Sequence, residues 1–275
     1  MLDTPQIPPG VDPDKPSPAR LYDYYLGGTT NFPADREAAE RIRADLPEIS
    51  DLAWANRGFH QRAARWLTAE RGIRQFIDIG SGLPTQGNTH EVIQKVSRQA
   101  KVVYVDSDPM VLAYAKAMLA DDGSTAVIQA DLRDPDSVLN HPDLRALIDF
   151  SQPTGLLMTA VLHFVADGSD PWGLVARYVR ALAPGSYLAV THATSDNLPL
   201  RAVQRGQQEY AKATENIYMR PRAEVERFFE GLELVPPYEN GPPRLVFMGE
   251  WGAEDPELAD SDGSRWGYCG VARVP

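Results

Sequence analysis

The segment Asp78-Ile79-Gly80-Ser81-Gly82 closes a short apolar run, Gln75 to Ile79. Glycines there let the backbone turn sharply and approach a ligand closely. Asp106 closes the next run, Lys101 to Val105, and is followed by Ser107. A carboxylate at that point can accept both hydroxyl hydrogens of a ribose. Asp131, in Gln129-Ala130-Asp131-Leu132, stands just beyond a third run, Thr125 to Gln129. Its carboxylate can accept from an adenine amino group while the Leu132 amide faces a ring nitrogen. Singly, a Gly-x-Gly reads as a tight turn and a strand-end aspartate as a solvated helix cap. Together and in order, after three consecutive strands, they form a nucleoside-binding set.

The spacing separates two cofactor classes. A dinucleotide loop requires a third glycine three residues after Gly82, where this chain has Thr85. Leu83-Pro84 also breaks the direct entry into a helix that would seat a pyrophosphate. A nicotinamide oxidoreductase is therefore disfavoured. A sulfonium nucleoside carries no phosphate, so the expected cofactor is S-adenosylmethionine.

These residues need a sheet edge to position them. Beyond the three runs above, strands are expected at Gly155 to Met158, Tyr187 to Thr191, Leu232 to Val235 and Tyr268 to Arg273. Helices are expected from Pro109 to Leu119, Trp172 to Leu182 and Arg222 to Phe229. Another begins near Asn88 and Thr89, with Glu91 completing a capping box. Strands alternating with helices mean right-handed crossovers and a mainly parallel α/β sheet. Ahead of it, residues 18–72 read as helical. One helix runs from Arg20 to Leu26, one starts at Pro33 and one starts at Pro47 and stops at Gly72. Residues 1–17 read as a flexible or extended arm, because Pro5, Pro8, Pro9, Pro13 and Pro16 block a helix. The expected division is an arm at 1–17, a helical extension or lid at 18–72 and a Rossmann-like cofactor domain at 73–275.

Composition narrows the partners. A net charge of −11 argues against a nucleic-acid partner, which needs clustered Lys and Arg. The one cysteine, Cys269, allows no internal disulfide and reads as a small core residue. No metal-ligand cluster stands out. No apolar stretch is long enough to span a bilayer, and no basic-then-apolar leader opens the chain, so a cytoplasmic location is expected.

Several motifs resemble a bacterial family of S-adenosylmethionine-dependent methyltransferases long catalogued as a domain of unknown function. They are the segment from Pro18 to Gly28, Asn31 to Arg36, Ala55-Asn56-Arg57, Asp78 to Thr85, Gly87 to Glu91 and Tyr104 to Pro109. The resemblance implies a class I fold: a mostly parallel seven-stranded sheet, helices on both faces and a helical N-terminal extension. It implies no particular acceptor. Pro236-Pro237-Tyr238 and the acidic stretch Glu250 to Asp262 depart from the family pattern and are expected to shape acceptor choice.

With that resemblance, Tyr22, Tyr24 and Tyr25, beside Gly28 and Asn31, read either as core or as a lid over a sulfonium methyl. Arg57 is expected to meet the cofactor carboxylate or a lid carboxylate. The expected cofactor set is Gly80, Ser81, Gly82, Asp106, Ser107, Asp131, Leu132, Thr159, Tyr22, Gly28, Asn31 and Arg57. His163, following strand four, is the candidate general base, with a packing histidine as the plainer reading. His192 is a weaker candidate, and Tyr210, Tyr218 and Met219 line an acceptor pocket or the core. The preferred function is methyl transfer to a small molecule. The alternative is a sensor that binds the cofactor without chemistry.

Overall fold

The strands are β1 (Gln75–Ile79), β2 (Lys101–Asp106), β3 (Thr125–Gln129), β4 (Gly155–Met158), β5 (Tyr187–Ala193), β6 (Glu233–Leu234), β7 (Val246–Phe247) and β8 (Gly267–Arg273). This computed structural model describes residues 7–84, 87–118, 123–196 and 198–275. Thr85, Leu119 and Pro5 of the arm, named above, lie outside the described residues. The sheet order is β3-β2-β1-β4-β5-β8-β6, and β7 also pairs with β8. The first five strands of that order are mutually parallel, while β8 runs antiparallel to β5, β6 and β7. The expected seven strands are thus joined by an eighth. Val246-Phe247 is only two residues long, too short for any period to show.

Alternation along the strands builds the two faces. Ile77, Ile79, Val103, Val105, Leu156 and Met158 bury into one core. Phe76, Val102, Tyr104, Leu157 and Ala189 bury into the other, with Phe59 and Leu67. The parity that turns Phe76 to the second face also turns Asp78 there.

Three helices precede the sheet: α1 (Pro18–Tyr25), α2 (Pro33–Asp45) and α3 (Ile49–Glu70). The last begins two residues after Pro47, with Glu48 at its cap position. Within and after the parallel part come α4 (Thr89–Val96), α5 (Pro109–Met118), α6 (Pro135–Leu139), α7 (Pro142–Leu147), α8 (Pro171–Arg180), α9 (Leu200–Tyr210), α10 (Arg222–Glu226) and α11 (Pro256–Ala259). The capping box of α4 is present, with Asn88 N–H donating to Glu91 Oε2 at 2.8 Å. The stretch read as one helix from Arg222 to Phe229 is α10 followed by a 3₁₀ turn.

Helices α1, α2 and α9 cap the carboxyl edge of the parallel strands. Ion pairs fasten α9 to α2: Arg205 to Asp45 at 2.8 Å and Arg41 to Glu209 at 2.9 Å. Arg20, buried at 2% exposure, pairs with fully buried Asp35 at 2.8 Å and locks α1 to α2. Residues 7–17 form no helix or strand; they run through successive turns, one closed by Val11 N–H to Pro8 O, and are tied down. Thr214 N–H donates to Pro16 O at 2.9 Å, and Val11 packs with Phe32, Leu83 and Met110. Among the described residues no helix is long and apolar enough to cross a membrane.

Candidate active site

A cavity of about 410 Å³ opens at the carboxyl ends of the neighbouring strands β1 and β4, where the strand order reverses, and beneath the cap. Open parallel sheets bind ligands at such a switch point. Gly80 adopts φ +70° and its N–H donates to Val105 O at 2.8 Å. A Cβ there would lie 2.2 Å from Val161 Cγ2, so the turn that brings the backbone to the cavity requires glycine. Asp106 is oriented by the same backbone. Its Oδ2 accepts from Gly82 N–H at 2.8 Å and its Oδ1 from Asp108 N–H at 2.9 Å. Desolvation nonetheless raises its pKa to about 6. A carboxylate so placed fits a ligand bringing two further hydroxyl donors, as a ribose does.

Ser81, Ser107, Asp131 and Leu132 line the same end. Asp131 is desolvated, which raises its pKa, yet hydrogen bonds from Arg133 hold it below the usual value. Arg133 also reaches Glu215 at 3.0 Å, so one guanidinium bridges two carboxylates at this corner.

Helix α3 contributes the opposite wall through Asn56, Arg57 and His60. Asn56 Nδ2 donates to Tyr22 Oη at 2.7 Å, and its Oδ1 accepts from Thr191 Oγ1 at 2.6 Å. Tyr22 Oη in turn donates to Ala53 O at 3.0 Å, while Arg57 lies 5.9 Å above the Tyr22 ring. His60 closes a second chain. Thr89 Oγ1 donates to Asp78 Oδ2 at 2.6 Å, so it accepts from His60 Nε2–H at 2.7 Å. His60 Nδ1 then accepts from Thr159 Oγ1 at 2.9 Å. Burial lowers the His60 pKa, against the pull of Asp78. Sequence reasoning missed His60 and the role of Asn56. Their signal was the shared helical face of residues 56, 57 and 60, one turn apart.

His163 also lines the cavity but does not suit the expected role of base. Burial, then the nearby Arg220 charge, lowers its pKa to about 3, so its power to take a proton is small. Its ring packs on Phe164 and His192, and its Nδ1 accepts from Ala193 N–H at 3.4 Å. His192 is fully buried behind it. His192 Nδ1–H donates to Ala193 O at 2.7 Å, and Nε2 accepts from Arg220 Nη1 at 2.8 Å.

Gly28 and Asn31 are not among the lining residues. They build the turn between α1 and α2 around Asp23. Thr30 N–H and Asn31 Nδ2 each donate to Asp23 Oδ2 at 2.8 Å, and a Cβ on Gly28 would strike Asp23. The sequence motif there is a packing solution. Tyr210 and Met219 line the cavity, but Tyr218 does not; its N–H holds His163 O at 2.7 Å. Pro236, Pro237, Tyr238 and residues 250–262 are absent from the lining. Trp251, from that acidic stretch, packs instead on Phe59 and Trp66 behind the sheet. Cys269 is fully buried, and burial pushes its thiol pKa up. Among the described residues no cluster of three metal-ligating side chains occurs.

This sheet order, glycine turn and strand-end aspartate define a Rossmann-like methyltransferase. Residues 5–275 match the family described as S-adenosyl methyltransferase, and the chain belongs to that family. It is an S-adenosylmethionine-dependent methyltransferase. A Thermobifida fusca YX protein, provisionally described as a methyltransferase, is 42% identical over 97% of this chain and 98% of its own, with TM-score 0.87. A DUF574 family protein from Streptomyces avermitilis MA-4680 is 40% identical over 100% of both chains, also with TM-score 0.87. The N-methyltransferase NodS from Bradyrhizobium japonicum WM9 is 13% identical over 80% of this chain and 97% of its own, with TM-score 0.50, a likeness of fold alone. Among curated proteins none matches the chain.

Proposed function

We propose that the protein methylates a small-molecule acceptor held under the cap formed by residues 18–72 and α9. The observation that carries this reading is one continuous cavity. Its sheet end is polar and shaped by backbone; its cap end is walled by apolar side chains.

Asp106 would hold the ribose hydroxyls, the Gly80-Ser81-Gly82 backbone and Ser107 would border them, and Asp131 with Leu132 would flank the adenine. Arg57 and Thr159 would face the amino-acid end, with Tyr22 fixed above by Asn56. Bound there, S-adenosylmethionine supplies a methyl group already activated by its sulfonium charge. The residues therefore have to place the acceptor and exclude water. The low basicity of His163 agrees with catalysis by positioning. A net charge of −11 supports a small acceptor over nucleic acid.

Calorimetry with S-adenosylmethionine and S-adenosylhomocysteine tests the site. Both should bind, and Asp106→Asn should weaken both about 100-fold, the loss expected for two charge-assisted hydrogen bonds. Wild-type protein that binds neither, or a variant that binds both unchanged, would sink the assignment. Release of S-adenosylhomocysteine from an acceptor panel then reads turnover.

A further inference from the structure

The cap end of the cavity identifies the acceptor's chemistry, given the methyltransferase reading. Tyr25, the last residue of α1, lines the cavity at 6% exposure. Its hydroxyl is buried and has no hydrogen-bond partner in the protein. Tyr22, one turn earlier, differs: its hydroxyl is satisfied by Asn56 and Ala53. A buried hydroxyl left unpaired is unfavourable, and a ligand oxygen that accepts from it relieves that cost.

Around Tyr25 the wall is apolar and ring-rich. Leu46, Ala202 and Trp266 cluster there, with Tyr210 packed against both them and Tyr25. Phe164 lies 5.7 Å from the Tyr210 ring. Aromatic faces favour flat, apolar partners. The charges acting on the Tyr25 hydroxyl, Arg43 and Glu40, pair with each other at 2.6 Å, and the other acidic groups on these helices are engaged as well. Asp45 is taken by Arg201 and Arg205, and Glu209 by Arg41 and Lys212. His163 is held neutral. With the lining residue Arg57 assigned to the cofactor's amino-acid end, a charged acceptor would lose its hydration without gaining a counter-ion.

We propose that the acceptor is an uncharged, ring-bearing hydrophobic compound whose hydroxyl or carbonyl oxygen accepts a hydrogen bond from Tyr25. It lies between the Tyr210, Trp266 and Ala202 wall and the sheet edge.

The test is calorimetry on the full chain saturated with S-adenosylhomocysteine, with 2-naphthol, naphthalene and 2-naphthoate as probes. Wild-type protein should bind 2-naphthol about fivefold tighter than naphthalene, the worth of one neutral hydrogen bond. It should bind 2-naphthoate at least about tenfold more weakly than 2-naphthol, as an uncompensated charge requires. Tyr25→Phe should erase the preference for 2-naphthol over naphthalene and leave S-adenosylhomocysteine affinity unchanged. Ala202→Phe, which fills the chamber, should weaken both neutral probes with the same cofactor affinity retained. That retained affinity certifies that each variant is folded. The proposal is overturned if Tyr25→Phe keeps the preference, if 2-naphthoate binds as well as 2-naphthol, or if no probe binds to a protein that does bind S-adenosylhomocysteine. Wild-type protein that fails to bind S-adenosylhomocysteine overturns the underlying reading instead.

Discussion

The two ends of the cavity are built by different means. At the sheet end, main-chain atoms set the geometry: Gly82 and Asp108 N–H groups aim Asp106, and a left-handed glycine opens space beside Val161. At the cap end, side chains from α1, α2 and α9 make the wall, and ion pairs on the outer side hold α9 in place. A backbone-built site is rigid and tolerates little change, which suits an unvarying cofactor. A side-chain-built chamber can change its occupant by substitution without disturbing the sheet.

Gly80→Val should break the sheet end most severely. It forces a β-branched residue into φ +70° with its Cβ 2.2 Å from Val161 Cγ2. Strain and overpacking together should cost about 2–5 kcal/mol of stability. Thermal unfolding should show a lowered midpoint and no upward shift on adding S-adenosylmethionine. A midpoint and shift equal to wild type would mean that the turn does not approach the cofactor.

The second largest effect is one of pH. Asp106 in the free protein has a pKa raised to about 6 by desolvation. Accepting from ribose hydroxyls requires its ionised form, so cofactor affinity is full above pH 6 and falls as pH drops below it. The decline should approach about tenfold per pH unit, one proton being displaced on binding. Calorimetry between pH 5 and 8 measures the slope, and Asp106→Asn should flatten it. A slope of zero in the wild type would deny Asp106 a place at the ribose.

Much of the sheet end was legible from sequence and much of the cap was not. The buried strands β1, β2, β4 and β5 are short runs with few charges, and their glycine and aspartate ends are visible directly. Helix α9 is invisible for a physical reason. Its buried residues are Ala202, Gly206 and Glu209, two small side chains and a charge, while Leu200 at its start is 71% exposed. Apolar periodicity cannot report a helix held by ion pairs and close approach. Helices α6 and α7, of five and six residues, are shorter than a readable period. His60 was hidden because its partners come from α4 and the end of β4, which only the fold brings together. Gly28 and Asn31 are the opposite case: their motif was plain, and the fold sets them outside the cavity lining, packed on Asp23.

The cap end predicts a smaller and selective change. Asp45 accepts a hydrogen bond from Arg205 and forms an ion pair with Arg201, both on α9. Asp45→Asn should loosen α9, raise acceptor KM about threefold and leave cofactor affinity unchanged, since ion pairs made to solvent-exposed arginines carry little energy. Faster hydrogen exchange across residues 200–210 would locate the change. An equal loss of cofactor affinity would show that the two ends are not separable.

The smallest expected effect concerns His163, which stands between the two ends. With its pKa at about 3 and its Nδ1 occupied by Ala193 N–H, it stays neutral across the working range. His163→Asn preserves an acceptor near that Nδ1. It should change kcat by less than about twofold and leave the pH–rate profile unchanged from pH 6 to 9, where general-base catalysis would have contributed about 100-fold or more. Its acid stability should shift instead. The unfolded histidine titrates near 6.5, and the folded one near 3. Its contribution is therefore complete above pH 6.5 and is lost as pH falls toward 3, because the unfolded chain takes the proton first. The variant should unfold less steeply with acid over that window. A pH–rate limb that disappears in His163→Asn would restore the histidine as a base and join the two ends of the cavity through proton transfer.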